Sequence, residues 1–398
     1  MVAVCPCASA VAGAQRCRIN AAIRDWFRLP PTGSGCDTRP IVMNILYSFT
    51  KEGEEARIWE REITNASHDE VRFITFNHRR YLDPQQYVRA QLLDNLYYAR
   101  HSGLMRLYQD FTQCLETHRI DAVIVDTMSP YHPDFLMTLP VLKVLRTGDG
   151  PLSAYDRDFA YLHAYNQVLY HSRAYSRDLT MDQKLRYCGA KAIEFWPLWL
   201  FDAMYDSAKA EDELFAQKRD IDVVFVGALF PNKMPLIAQV KKALGSRCQI
   251  YGLAGWKKNA YFNVMYGFPG WVRPIATQAY VPLYQRAKIG FNVHNRGKYT
   301  VGGFRLFELP ANGVMQISDG DEYLNDFFDV GNEIERYADA DELIDKIRYF
   351  LTHEQERIRI ARNGFRRVMQ DHRLKARLAQ ARDIVAARLA DIENPCRR

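Results

Sequence analysis

The chain alternates short apolar runs with longer helix-period segments, breaks off, and then begins the same alternation again. That doubled pattern constrains the fold most, because strands separated by helices join one sheet through crossovers and so run parallel. In the first series, apolar runs at 41–49, 71–76, 121–126, 141–146, 167–170 and 193–196 read as strands. Helical spacing covers 54–65, 86–118, 134–139 and 182–187 between them. The second series places strands at 222–227, 248–251, 289–293, 314–317 and 333–337, with helices at 233–244, 280–287, 304–312 and from 340 onward. Arg-, Ala- and Leu-rich helices at 354–370 and 373–391 close the chain. The expectation is an α/β protein of two Rossmann-like, doubly wound parallel-sheet lobes facing a central cleft. The first lobe spans 43–205 and the second 206–375; 201–220 reads as a charged connection, and 376–398 as a helix crossing back to the first lobe.

Composition bounds the alternatives. At about 100–200 residues per domain, 398 residues suit two domains. The longest apolar run, 195–201, contains Pro197 and is far short of the roughly 18 residues that span a bilayer. Net charge is +6, from 53 basic and 47 acidic side chains, and residues 1–42 hold five Arg against two Asp. The remainder is no electrostatic footprint for nucleic acid. Four of the eight cysteines (Cys5, Cys7, Cys17, Cys36) precede residue 42 and the others are scattered, without C-x-x-C spacing. That argues for reduced thiols and a cytoplasmic protein, against a zinc site or a disulfide framework. The first 42 residues lack the apolar core of a secretion signal and pass into a Pro/Gly linker. They are expected to be a disordered tail or an over-extended start.

In doubly wound sheets, ligands bind outside the carboxyl ends of strands, so the loops after strands carry the chemistry. The richest loop follows the 289–293 strand and runs from His294 and Asn295 through Gly302, Gly303 and Arg305 to Glu308. A Gly-Gly pair before a helix admits a phosphate to its positive end. Arg305 in the first turn offers paired donors to a diphosphate. Glu308 lies on the same face, able to accept from two ribose hydroxyls; on spacing alone, a helix-surface Arg/Glu pair fits equally well. After the 222–227 strand, Gly227 permits close approach and Lys233 reaches toward a diphosphate, although the Walker spacing is absent.

From Phe291-Asn292-Val293-His294 through Gly302-Gly303-Phe304-Arg305-Leu306-Phe307-Glu308 to Gly331-Asn332-Glu333-Ile334, the sequence resembles the CgeB-like, spore-maturation-type glycosyltransferases. These are relatives of the group 1 glycosyltransferases of GT-B fold. The resemblance is good over 290–375, fair at 222–233 and weak before 200. It implies a metal-independent enzyme moving a sugar from a nucleoside-diphosphate donor (UDP, GDP or dTDP type) to a glycan, lipid-linked sugar, protein or small molecule. By the same analogy Gly302, Gly303, Arg305 and Lys233 meet the diphosphate, and Glu308 the ribose. Retaining group 1 enzymes often carry a second Glu eight residues upstream of the ribose-binding one, where this chain has Thr300. The stereochemical outcome is therefore not carried over.

The first lobe must supply any base. Asp149, in the Gly-flanked loop Arg146-Thr147-Gly148-Asp149-Gly150, and His78, after the second strand, are the candidates, with His132 a weaker third. Four D-x-D patterns (156/158, 220/222, 319/321, 339/341) read as structural rather than as metal ligands. Trp196, Trp199, Trp256 and Trp271 could stack on a sugar, although core filling fits most of them better. An epimerase of the same fold and a non-catalytic nucleotide-sugar-binding protein are the competing readings. The Arg-rich C-terminal helices leave room for peripheral membrane contact.

Overall fold

The computed structural model describes residues 42–147, 156–173, 179–294, 303–320 and 322–393. The chain divides into two compact units. The first takes the chain up to Leu169, with Leu185–Glu194 and the segment from Leu378 onward; the second takes Tyr170–Lys184 and Phe195–Arg377.

The first sheet is built from β1 (Met43–Phe49), β2 (Val71–Asn77), β3 (Ala122–Asp126), β4 (Leu142–Thr147), β5 (Gln167–Tyr170) and β6 (Ile193–Phe195). Their order is β2-β1-β3-β4-β5-β6. β1 runs parallel to both β2 and β3, and β3 parallel to β4. β3 and β4 are buried along their whole length, as central strands covered on both faces must be. The path leaves β1 for β2, then returns past β1 to β3, so crossover direction reverses between β1 and β3. The expected single helix over 86–118 is two, Ala90–Tyr98 and Ser102–His118. Arg100 takes a left-handed φ of 52° and the His101 N–H donates to the Leu96 carbonyl, closing the first helix. The apolar period continues across that break, so spacing did not reveal it. Within this unit the final helix, Leu374–Glu393, is tied down by Arg382 to Glu70 (3.0 Å) and Arg388 to Gln167 (2.9 Å).

The second sheet holds β7 (Ile221–Val226), β8 (Cys248–Tyr251), β9 (Ala287–Asn292), β10 (Met315–Asp319) and β11 (Glu335–Tyr337), in the order β11-β10-β9-β7-β8. The pairs β7/β8, β7/β9, β9/β10 and β10/β11 are parallel. One face of the sheet packs Phe225, Ile289, Phe291 and Ile317 with Ile237, Ile347 and Ile360 of the surrounding helices. The other packs Val224 with Tyr284, Leu309 and Val314. A Cβ on Gly290 would lie 2.7 Å from the Leu309 side chain, so only glycine lets helix Arg305–Ala311 sit this close to β9. Here the reversal falls between β7 and β9.

The stretch 201–220 carries helix Glu211–Ala216, and Arg219 donates to the carbonyls of Tyr284, Ala287 and Asn312 at 3.2, 2.7 and 3.0 Å. It is thus built into the second unit. Helix Trp256–Tyr266 was not expected from the sequence, because its apolar residues occur on every side and give no helical period.

Candidate functional site

The reversal between β7 and β9 gathers the charged residues of the second unit. Lys233 ends the loop after β7, at the N-cap of helix Met234–Leu244, and is 6% exposed. Burial pushes its ammonium down to about 8; Arg305 pushes the same way and Asp319 opposes. His294 follows β9. Its backbone N–H donates to both oxygens of the Asp319 carboxylate at 3.0 and 2.9 Å, and its Nδ1 stands 2.7 Å from Oδ1. Asn292 holds the other ring nitrogen at 3.3 Å, and Tyr337 donates to the Asn292 carbonyl at 2.9 Å. The carboxyl ends of β9, β10 and β11 are thereby locked together through buried side chains.

Arg305 opens its helix beneath Tyr280: the guanidinium lies 5.3 Å from the ring centre, and Nη2 reaches the hydroxyl at 3.4 Å. Its Nε is buried with no hydrogen-bond partner among the described residues. Burial works against the Arg305 charge, but Tyr284, Glu308 and Tyr280 outweigh it and hold the group more basic than usual. Glu308, one turn on, is buried and accepts from the Tyr284 hydroxyl at 3.4 Å. Burial raises its carboxyl above the ordinary range, with Arg305 and the Tyr284 hydrogen bond acting in opposition.

Of the residues singled out in the sequence, Lys233, His294, Arg305 and Glu308 are therefore buried or half-buried at one sheet edge. Gly303 precedes the helix in open space, with nothing within 4 Å of where a Cβ would stand. Gly227 donates its N–H to the Tyr251 carbonyl at 3.1 Å and faces the Phe225 ring. Asn295 and Gly302 lie outside the described residues. Asp319 and Tyr284 were missed as site residues. Asp319 ends a strand, so the same carboxyl-end rule would have found it; Tyr284 sits in a helix and gave no signal. Chemically, the arrangement is one buried and one half-buried cation, a guanidinium N–H without a partner among the described residues, and a buried acid with acceptor capacity to spare. It suits an anion of more than one charge attached to a hydroxyl-bearing group.

In the first unit, the His78 ring is wholly buried after β2, its Nδ1 3.2 Å from the Ser48 hydroxyl, which meets the Tyr131 hydroxyl at 2.7 Å. Its Nε2 has no partner among the described residues. Burial, helped by the Arg157 charge, pushes the imidazole down to about 3. Close by in the sheet, Asp126 of β3 pairs with Arg146 of β4. Asp158 accepts from Thr127 and Thr147 at 2.5 and 3.2 Å. Asp149 lies outside the described residues. His132 stacks on Tyr97 at 3.9 Å and stands 3.3 Å from Asp94, a packed and fully bonded position.

Among the described residues, most of the D-x-D acids have structural partners. Asp220 pairs with Arg286, Asp222 with Arg247 and Lys288, and Asp339 caps helix Ala340–Thr352 through the Glu342 N–H at 2.9 Å. Among the described residues, no group of three or more His, Cys, Asp or Glu is arranged to hold a metal ion, and no helix is long and apolar enough to cross a membrane. Trp196 and Trp199 are core residues, whereas Trp256 and Trp271 are 67% and 61% exposed.

Two doubly wound parallel sheets of this order define a protein of the GT-B fold, and comparison with solved structures agrees. Sucrose-phosphate synthase of Thermosynechococcus elongatus superposes with a TM-score of 0.58 at 13% identity, over 87% of this chain and 99% of that one. HepE of Anabaena, solved with UDP-glucose, gives 0.55 at 14% identity, over 87% and 100%. A glycosyltransferase of Rickettsia africae gives 0.55 at 11%, over 88% and 99%. Residues 233–383, which begin at Lys233 and take in Arg305, Glu308 and Asp319, match the model of a glycosyl transferase-like family. No curated protein sequence matches the chain.

Proposed function

We propose that this chain is a glycosyltransferase of the group 1 type, with a CgeB-like second unit, and that the second unit binds a nucleoside-diphosphate sugar. The observation that carries the reading is the placing of two cations, buried Lys233 and half-buried Arg305, at the sheet reversal between β7 and β9. The structural neighbour HepE was solved with UDP-glucose, which supports the same class of donor.

In this reading Lys233 and the Arg305 guanidinium, with its unpartnered Nε–H, oppose the charge of the diphosphate and of the leaving nucleotide as the glycosidic bond breaks. Gly303 gives the phosphates room, with Gly302 and Asn295 completing the loop. Glu308, held by Tyr284 through one oxygen, accepts from the ribose hydroxyls with the other. His294 sets the loop through Asp319 rather than reaching the sugar. The diphosphate is neutralised by side chains, so no metal is required. The acceptor hydroxyl is expected to lose its proton to Asp149; the His78 ring, wholly buried and pushed down to about 3, is too weak a base and too enclosed to take it.

The test is thermal stabilisation by UDP, GDP and dTDP, each with EDTA and with Mg²⁺. A nucleotide at about 100 times its dissociation constant adds about 2.7 kcal/mol. The reading expects a shift with one of the three, unchanged by EDTA and lost in Arg305→Ala. No shift with any nucleotide overturns the donor site; conversion of the sugar nucleotide in the absence of acceptor makes the chain an epimerase instead.

A further inference from the structure

The segment after β8 carries a surface that the nucleotide site does not use. Of the thirteen large apolar side chains exposed among the described residues, six fall within 253–271. Helix Trp256–Tyr266 turns Asn259 and Phe262 inward; Asn259 accepts from the Val272 N–H at 2.8 Å and Phe262 is buried. The outward side presents Tyr261, Val264 and Met265 at 47%, 82% and 59% exposure, with Trp256 at its start. Asn263 ties the following turn to the helix through the Gly270 carbonyl at 2.9 Å, which brings exposed Trp271 alongside.

The stretch that carries this surface holds charge of one sign, although Asp341 and Asp345 line the groove that Met265 and Tyr266 border. Between Asp222 and Glu308 the sequence has 12 Lys and Arg and no Asp or Glu at all. Whole-chain net charge hides that stretch. Lys257 lies on the outward side between Trp256 and Tyr261, with its ammonium 5.7 Å from the Trp256 ring centre. Lys258 donates to the Leu253 carbonyl at 3.4 Å. Neither forms an ion pair among the described residues.

Protein interfaces deplete lysine from their apolar centres, and grooves take partner helices. This surface instead mixes exposed lysines with tryptophan, tyrosine and aliphatic tips along one helix. Indole and phenol rings sit at the headgroup level of a bilayer, aliphatic tips enter the acyl boundary, and lysines reach back to lipid phosphates. The helix itself brings no carboxylate to repel an anionic leaflet. We propose that helix Trp256–Tyr266 and Trp271 form a peripheral attachment surface for an anionic lipid bilayer. This goes beyond the donor-site reading and does not depend on it.

Co-sedimentation of the full chain with vesicles tests it, using phosphatidylcholine alone and phosphatidylcholine mixed with phosphatidylglycerol. Binding is expected to the mixed vesicles, to weaken with added salt, and to be weak on phosphatidylcholine. Exchanging Lys257 and Lys258 for Gln should lower the partition about fivefold per lysine. Val264→Asp should abolish it, with the melting temperature unchanged because the position is exposed. Equal binding to both vesicle types, no binding to either, or binding untouched by these substitutions overturns the proposal. So does a dimer in solution that Val264→Asp converts to monomer, which would assign the surface to a second copy of the chain.

Discussion

Replacing Lys233 with Met is expected to make the ligand-free protein more stable while removing its response to nucleotide. The ammonium is 6% exposed and its pKa falls from 10.5 to about 8 on folding. For a base, a lowered value means that folding disfavours the charged form. The penalty is present in full below the folded value and fades as pH climbs from about 8 toward the unfolded value. At ~1.4 kcal/mol per pH unit, this corresponds to ~3 kcal/mol at pH 7 and ~1.5 kcal/mol at pH 9.5. Relaxation around a buried charge makes those figures ceilings. Half of the pH 7 value still raises the melting temperature by about 3–6 °C in a unit of this size. Met keeps the unbranched stem without the charge, so the packing cost is small.

The assay is a set of melts of wild type and Lys233→Met at pH 7 and 9.5, with and without the nucleotide that stabilises wild type. The variant should melt higher at pH 7, the gap should shrink at pH 9.5, and only wild type should gain from nucleotide. The opposite result is equally readable. If the variant melts lower by the same amount at both pH values, the ammonium is satisfied by Asp319 and serves the fold. The assignment of Lys233 to a phosphate then fails.

Glu308→Gln should behave in parallel, because burial also raises that carboxyl. The apo protein gains stability at pH 7, while calorimetric titration shows nucleotide affinity reduced about tenfold or more and the preference for ribose over 2′-deoxyribose lost. His78, neutral in the fold with a pKa of about 3, makes folding weaker as pH drops below its unfolded value of 6.5. Relative to His78→Phe, wild type should lose ~1.4 kcal/mol per pH unit below that point, read from urea midpoints. Gly252→Ala puts a Cβ 2.5 Å from the Gly227 carbonyl oxygen, where the loops after β7 and β8 meet. The cost should be ~1–3 kcal/mol by urea melt.

The sheets were legible in the sequence for a simple reason: central parallel strands are buried on both faces and read as unbroken apolar runs. The runs at 122–125 and 223–226 are of that kind, whereas β4 is buried just as fully although it carries Lys143 and Arg146. The break at Arg100 was not legible, because a left-handed residue closing one helix before another leaves the apolar period intact. Helix Trp256–Tyr266 was not legible either. Its outward side carries Val264 and Met265 where a solvated helix would place polar residues, so the contrast on which periodicity depends is missing. Lys233, Arg305 and Glu308 were found because they follow strands or open helices. The same rule also returned Asp149 and His132, since spacing carries no measure of burial.

Burial, together with where the acids fall, separates them. At the amino ends of β7 and β9, Asp220 and Asp222 neutralise Arg286, Arg247 and Lys288, and Lys241 is spent on the carbonyls of Gly245 and Cys248. No acid follows until Glu308. Among the described residues, Lys233 and Arg305 at the carboxyl edge therefore meet Asp319 and Glu308 and no other acid. Asp319 is already taken up by three approaches from His294. A fold selected for stability alone would give Lys233 a hydrogen-bonded acid of its own, as it gives Arg286 and Lys288 at the other edge. Leaving Lys233 buried with a depressed pKa costs stability that an arriving polyanion returns, and the same shortage of acids leaves Lys257 and Lys258 without counter-charge on the outer helix.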